Sequence, residues 1–584
     1  MIRSVLAATV LLALAPSSAL ACGGFFCSSV PIDQSKEKII FGVDEEAGTV
    51  EVHVQIFYSG DAKSFAWVVP VTGVPDVALS SDELFTQLGY RTQPYFSLTT
   101  EERGTCVYDG GGWYGGWYGE GDATNGAGGG GGAPGAGGGV DVLSEGQTGP
   151  FDWTVVSASD QTVLLEWLAD PDGDPTTADA YIIPPNVGDA LGTYISGGSN
   201  FVAFKLSSDA SAGDIAPIKL TYSGNTATIP LVLTSIAATP DMRLEPYVFA
   251  NHRAVPDNYL HVRINEAKIN WLYGGQNYDD VVTEAANEAG GQAFATDFYG
   301  STSNMKNMLW WDGRFDLATL RGMADPVAFL DAMLMQGFPR GAVTQNIIRD
   351  HIPMPADAVA AGVDESSFYN CLSCYPEYTA EIDFDANAMV DDLDERIVQP
   401  LIDANDLFDQ YSQVTRMTSS MSADEMTADP MFVINPDMTD EVSNNHNAKM
   451  IIDCGDGGNY TDATRWIELQ DGTTVNVPPD SWYTANGVGY DTWPAGEGQP
   501  AAASIEDTSG SGQPTPVADN NDAIARSLGE YNTWVDGLNG NVGGPTDPMP
   551  VTGCAGCDGS GGTPGLAGAM VGLLAIAGRR RNTR

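Results

Sequence analysis

The feature that most constrains this chain is a change in the period of its apolar residues near position 278. Before it, the spacing is two. Val50, Val52, Val54 and Ile56 alternate with Glu51, His53 and Gln55, the pattern of a half-buried strand. Tyr58-Ser59-Gly60-Asp61 reads as a turn, and Phe65–Val71 as the returning strand of a hairpin. A related pattern follows, with Ile218, Leu220 and Tyr222, a turn at 222–225, and a return over Ile229–Leu233. The shared Tyr-Ser-Gly suggests either a distant internal duplication or common turn chemistry. Asn200–Leu206 and Tyr259–Ile264 read as further strands, and Asp160–Ala169 as a helix with Val163, Leu164 and Trp167 on one face. After 278 the spacing is 3.6, which predicts helices over Tyr278–Ala289, Pro326–Gln336, Val343–His351 and Ala386–Ile402. In the last, Met389, Val390, Leu393, Ile397 and Leu401 form a stripe that Pro400 should kink. A mixed region containing Cys454 follows, then a closing hairpin over Trp466–Val477. Strands followed by helices predict an α+β fold.

Composition divides the rest. Residues 1–21 read as a signal peptide, 22–108 as a β-rich segment and 109–149 as a glycine-rich insertion carrying Trp113-Tyr114 and Trp117-Tyr118. So many glycines cost too much chain entropy to pack. Residues 150–277 form a mixed β/α segment, 278–494 a mainly helical one, 495–553 a Gly/Pro/Ser/Asp/Asn-rich spacer and 554–584 a C-terminal tail.

Both ends point to export. Arg3, the apolar run Val5–Ala15 and the small residues of Ala19-Leu20-Ala21 make a cleavable signal, with Cys22 as the mature N-terminus. An uncleaved anchor and an acylated Cys22 are the alternatives; lipoprotein sites usually carry a large aliphatic residue where Ala19 stands. At the other end, Cys554-Ala-Gly-Cys557 precedes a glycine-rich bridge, the run Leu566–Gly578 and the cluster Arg579, Arg580 and Arg581. That run covers about 20 Å as a helix, short of a bilayer core of about 30 Å, but counting in Gly559–Gly565 reaches a marginal span, so a plain C-terminal membrane anchor is the alternative. The arginines mark its cytoplasmic end. Acids outnumber bases 77 to 26, so like-charge repulsion excludes nucleic acid as a partner.

Cysteines 22, 27, 106, 371, 374 and 454 form an even set that an oxidising compartment would bridge, with 15 possible pairings. Cys22 and Cys27 close a small loop. Cys371 and Cys374 have redox-motif spacing without a thioredoxin-like context, and could join Cys454 and His446 in a zinc site; disulfides are the stronger reading. Calcium is the better ionic candidate, at Asp170, Asp172, Asp174 and Asp179. Asp383, Asp385 and Asn387, reaching Asp391 and Asp394, resemble a second partial loop but fit better as a helix start. His53 and His261 occupy polar positions of alternating strands, where a solvated face is expected. Ser35 and Lys38 match Ser-x-x-Lys without its companion motifs. Paired carboxylates for glycoside hydrolysis cannot be picked out among so many acids.

The cysteine-led tail with its short Gly/Ala/Leu helix and arginine cluster resembles the myxobacterial C-terminal sorting tail (MYXO-CTERM). That resemblance implies processing near Cys554 or Cys557 and delivery to the cell surface by export and tail-sorting machinery, with membrane contact through the tail. Cys22-Gly-Gly-Phe-Phe-Cys27, Phe65–Val71, Phe201–Leu206 and Ile229-Pro230-Leu231 resemble an uncharacterised secreted family, domain-of-unknown-function family twenty-three thirty, over roughly residues 22 to 480. It implies export and architecture but no site. The leading expectation is therefore a non-catalytic surface protein working by binding, adhesion or envelope structure. An exported carboxylate-based hydrolase and a calcium-stabilised scaffold are the rivals. A deep cleft with converging acids and histidines would favour the enzyme.

Overall fold

The structure is a computed structural model that describes residues 25–27, 33–59, 65–107, 140–149, 151–169, 187–206 and 216–540. The expected signal, the aspartates 170–179, Cys22 and the tail lie outside these residues. Among the described residues no helix is long and apolar enough to cross a membrane.

The fold is α+β. A ten-stranded mixed sheet runs, edge to edge, through Thr515–Asp519, Ala502–Asp507, Leu260–Ile264, Ala293–Ser301, Gln413–Met421, Ala238–Ala250, Asp33–Asp44, Thr49–Ser59, Ile218–Ser223 and Asp76–Leu79. Two of its pairings are parallel, Ala238–Ala250 with Asp33–Asp44 and Leu260–Ile264 with Ala293–Ser301. The second of these is closed by the crossover helix Tyr278–Glu288, as a parallel connection requires. A five-stranded sheet containing Phe65–Val71 and Asn200–Leu206 packs on one face. Ile39, Phe41, Val52 and Val54 meet Trp67, Val69, Phe151 and Phe204 there. Helices between residues 317 and 410 cover part of the opposite face, where Ile40, Tyr247 and Phe249 meet Leu393, Leu401 and Phe408. A four-stranded sheet, the crossover helix and the helix Asn521–Gly540 enclose a third core around Trp271, Ala285, Ile467, Leu528 and Val535.

Several expectations need correcting. Neither of the first two hairpins forms, whereas the closing one does, Thr464–Glu468 pairing with Thr474–Val477. Thr49–Ser59 pairs with Asp33–Asp44 and with Ile218–Ser223, while Phe65–Val71 belongs to the other sheet. After Ile218–Ser223 the chain gives a two-residue strand and the short helix Leu231–Thr234. The two strands that carry Tyr-Ser are thus neighbours in one sheet. The 495–553 spacer contains two strands of the large sheet and a 20-residue helix, Asn521–Gly540. The 109–149 insertion ends in a strand, Val140–Thr148, paired with Phe151–Ala158. The 278–494 segment holds the helices but also two inner strands of the large sheet, Ala293–Ser301 and Gln413–Met421. Over 386–410, Ala386–Leu393 and Gln399–Gln410 are joined through a π-helical turn at Asp394–Val398. The wider turn accommodates Pro400, which lacks an N–H for the α-helical ladder.

His53 and His261 are buried, at 1 % and 5 % exposure. His53 points at packed protein, whereas His261 points into a recess beside its strand. His53 lies between Ser80 (2.6 Å) and Glu51 (2.7 Å).

Among the described residues two bridges form, Cys106–Cys454 and Cys371–Cys374. The zinc set is thereby divided, with His446 on Glu266 instead. Asp385 caps its helix by accepting from the Asn387 and Ala388 backbone N–H groups.

Candidate functional site

The large sheet carries a buried ionic network in its centre. Glu245 takes Lys36 at 2.7 Å, Arg243 at 2.9 Å, Arg416 at 3.6 Å and Lys38 at 3.7 Å. Burial pushes the Glu245 carboxyl up, but Arg416, Lys36 and Arg243 outweigh it and hold it at about 2. One strand further, Asp297 accepts from the Tyr278 hydroxyl at 2.5 Å and from the Thr418 hydroxyl, and faces Arg416 Nε at 3.1 Å. Burial raises the Asp297 pKa against those partners.

Beyond Asp297 lies a polar cavity of about 500 Å³, within the range of small-molecule sites. Its residues come from distant parts of the chain. Leu260–Ile264 supplies His261 and Arg263, which share a face because side chains alternate along a strand. Ala502–Asp507 places Glu506 directly opposite His261. Ala293–Ser301 carries an irregularity between Thr296 and Phe298 as it pairs with Gln413–Met421. Such a bulge re-aims side chains, and Thr296 and Asp297, consecutive residues, both line the cavity. Arg253 enters from the short strand Arg253–Pro256.

The contacts are specific. The Thr296 hydroxyl oxygen accepts from Arg253 Nη2 at 3.2 Å and lies 3.0 Å from His261 Nε2. Glu506 Oε2 is 3.5 Å from His261 Nδ1, an electrostatic contact too long for a good hydrogen bond. Burial pushes the His261 pKa down against the pull of Glu506, favouring a neutral ring. His446 stacks on Phe96 with centroids 4.7 Å apart, and its Nδ1 is 2.8 Å from Glu266. Exposed Asp440 and Glu441 stand at the rim. The backbone pairing of Val442 with Tyr299 holds that segment in place.

Sequence reasoning missed this site. Its four central residues, Arg253, His261, Thr296 and Glu506, come from four strands, and Glu506 from the stretch read as spacer. One signal was present: a histidine and an arginine two apart on a strand, which the solvated-face reading passed over. Among the described residues, no group of three or more His, Cys, Asp or Glu side chains is placed to hold a metal ion.

The Phe65–Val71, Phe201–Leu206 and Ile229-Pro230-Leu231 segments converge where the two sheets meet. A family described as an uncharacterized protein conserved in bacteria (DUF2330) matches residues 16–323. The chain belongs to DUF2330. The match ends at 323, short of the expected 480, and so includes Arg253, His261 and Thr296 but not Glu506. No curated protein and no solved structure matches the chain. Within DUF2330, this cavity therefore has to be read from its own chemistry.

Proposed function

We propose that the chain is an exported protein, held at the bacterial cell surface, that binds a small polar ligand in the cavity beside Asp297 without transforming it. The observation that carries this reading is the cavity itself. It has a ligand-sized volume, a buried cation and histidine in its lining, and charged groups at its rim. Signal and tail motifs support export and sorting. The Cys106–Cys454 bridge, joining residues 348 apart, suits an oxidising compartment.

A hydrolase is the second reading, favoured by the convergence of acids with His261 and His446 on the cavity and by the line Thr296–His261–Glu506, which has the order of a nucleophile, base and orienting acid. Against it, the Thr296 oxygen already accepts from Arg253, and the His261–Glu506 contact is long.

Two measurements test the proposal. Fractionation of the native cells, with mass spectrometry of the mature ends, should find the chain at the surface without residues 1–21. Thermal melting of the purified, disulfide-intact chain against a defined panel of small polar compounds should give at least one stabiliser. At a hundredfold excess over Kd the gain is about 2.7 kcal/mol. An intact chain in the cytosol, or steady turnover of a panel compound, sinks it.

A further inference from the structure

Arg253 is 6 % exposed, yet among the described residues it makes no ion pair, and Glu506 and Asp440 act on its charge only from beyond ion-pair distance. Its Nη2 donates to Thr296, its face lies 6.0 Å from the Tyr299 ring, and its Nε has no hydrogen-bond partner. A buried charge without a counter-ion is costly. It is the more unusual in a chain with 77 acids and 26 bases, where a carboxylate partner would be easy to supply. The other buried cations among the described residues, Lys268, Arg416 and Arg465, all have one. Arg253 differs in lining an open cavity, from which a counter-ion can arrive.

Resting on the binding reading above, we propose that Arg253 is the receptor for a ligand carboxylate and that the cavity selects a small zwitterion. The carboxylate pairs with the Arg253 guanidinium from the cavity that it lines, and the ligand's ammonium group is held by Asp440 and Glu441 at the rim. The charge pattern decides between anions. Glu266, Asp297, Asp440, Glu441 and Glu506 also line the cavity, with Arg263 as its second guanidinium, so a phosphate dianion would meet five carboxylates against two cations. A simple cation would meet the Arg253 guanidinium unshielded. A molecule carrying both signs matches both parts, and a cavity of about 500 Å³ has room for a dipeptide-sized one. Neutral His261 adds no competing charge, and the Thr296 hydroxyl keeps the guanidinium oriented.

The test uses the full mature chain with its disulfides intact, titrated with alanyl-alanine, acetate, ethylammonium, a neutral disaccharide and inorganic phosphate. Alanyl-alanine should bind at least tenfold more tightly than acetate, with no response to phosphate or ethylammonium. Arg253→Met should weaken the dipeptide at least tenfold. It should melt no lower than the parent, since it replaces an unpaired buried charge with an apolar side chain; a merely structural arginine would lower the melting temperature. Should that variant fail to fold, Arg253→Lys keeps the charge and loses the planar fork, and at least tenfold weakening is again expected. Asp440→Asn with Glu441→Gln should weaken the dipeptide several-fold while acetate binds no less tightly than before. Undiminished dipeptide binding by the Arg253 variants overturns the inference. So does a panel in which only the disaccharide or ethylammonium binds, a result that leaves the binding reading standing.

Discussion

At position 37 a carboxyl group faces an apolar interior. A bulge in Asp33–Asp44 near Gln34 brings Gln34 and Glu37 to the same side, where the Gln34 amide donates to the carboxyl at 3.1 Å. Both line a small void of about 40 Å³ between the two sheets, enough for a water molecule but not for a ligand. Burial pushes Glu37 up to about 7, with the Gln34 bond opposing. The sign follows from linkage. Below its unfolded value of 4.5 the group is protonated in both states and contributes nothing. Between 4.5 and about 7 the unfolded chain ionises while the folded one holds its proton, so stability falls as pH rises, by about 3 kcal/mol in all. Glu37→Gln should therefore match the parent at pH 4 and exceed it by up to that amount at pH 8, read from urea midpoints. Equal midpoints at pH 8 would rule this out. Glu245 has the opposite sign: held at about 2, it contributes stability above 4.5 that is lost as pH falls.

Elements differ in how far the sequence announces them, and the reason is how many of their faces are covered. Helices against one face show their stripe, and Tyr278–Glu288, Pro326–Met335 and Ala342–His351 fall within one or two residues of the expected bounds. Asn200–Leu206 and Leu260–Ile264 were equally legible. Gln413–Met421 is buried at eight successive positions, Val414 to Met421, although it reads Val-Thr-Arg-Met-Thr-Ser-Ser-Met. With both faces covered and the Thr415, Thr418, Ser419 and Ser420 hydroxyls bonded internally, alternation vanishes and no strand signal remains. Strand partners were unreadable for another reason, since pairing joins residues hundreds apart. The same non-local pairing hid the cavity, whose members lie on separate strands. One miss was avoidable. Ile524, Leu528, Tyr531 and Val535 form a helical stripe, each at most 8 % exposed, inside the stretch whose composition suggested a spacer. Truncation after residue 500 tests how much that stretch matters. It removes two strands from the sheet edge beside Leu260–Ile264 and uncovers the third core. Each fully buried large side chain lost is worth about 1.5–3 kcal/mol, so the truncated chain should be insoluble or melt non-cooperatively. A soluble, cooperative product would restore the spacer reading.

Across the whole molecule, charge is sorted by depth. The formal net charge is −51, with only 26 basic side chains. Several of these, Lys36, Lys38, Arg243, Arg253 and Arg416, lie within the large sheet or line its cavity. Cations that might have neutralised surface acids are engaged inside, so the exterior is more acidic than composition implies. Hydrophobic burial must hold the fold against that repulsion. The Debye length is about 30 Å at 0.01 M salt and about 8 Å at 0.15 M, so moderate salt should relieve most of it. The melting temperature of the purified chain should therefore climb steeply with sodium chloride up to about 0.2 M and then flatten as screening saturates. Screening and salting-out are separated by the shape of this curve, because exclusion of salt from apolar surface strengthens burial progressively into the molar range. The buried Glu245–Arg416 network should change little, being shielded from ions by the sheet. A melting temperature flat from about 0.01 to 0.2 M would mean that the surface acids are too widely spread, or too well paired, to strain the fold.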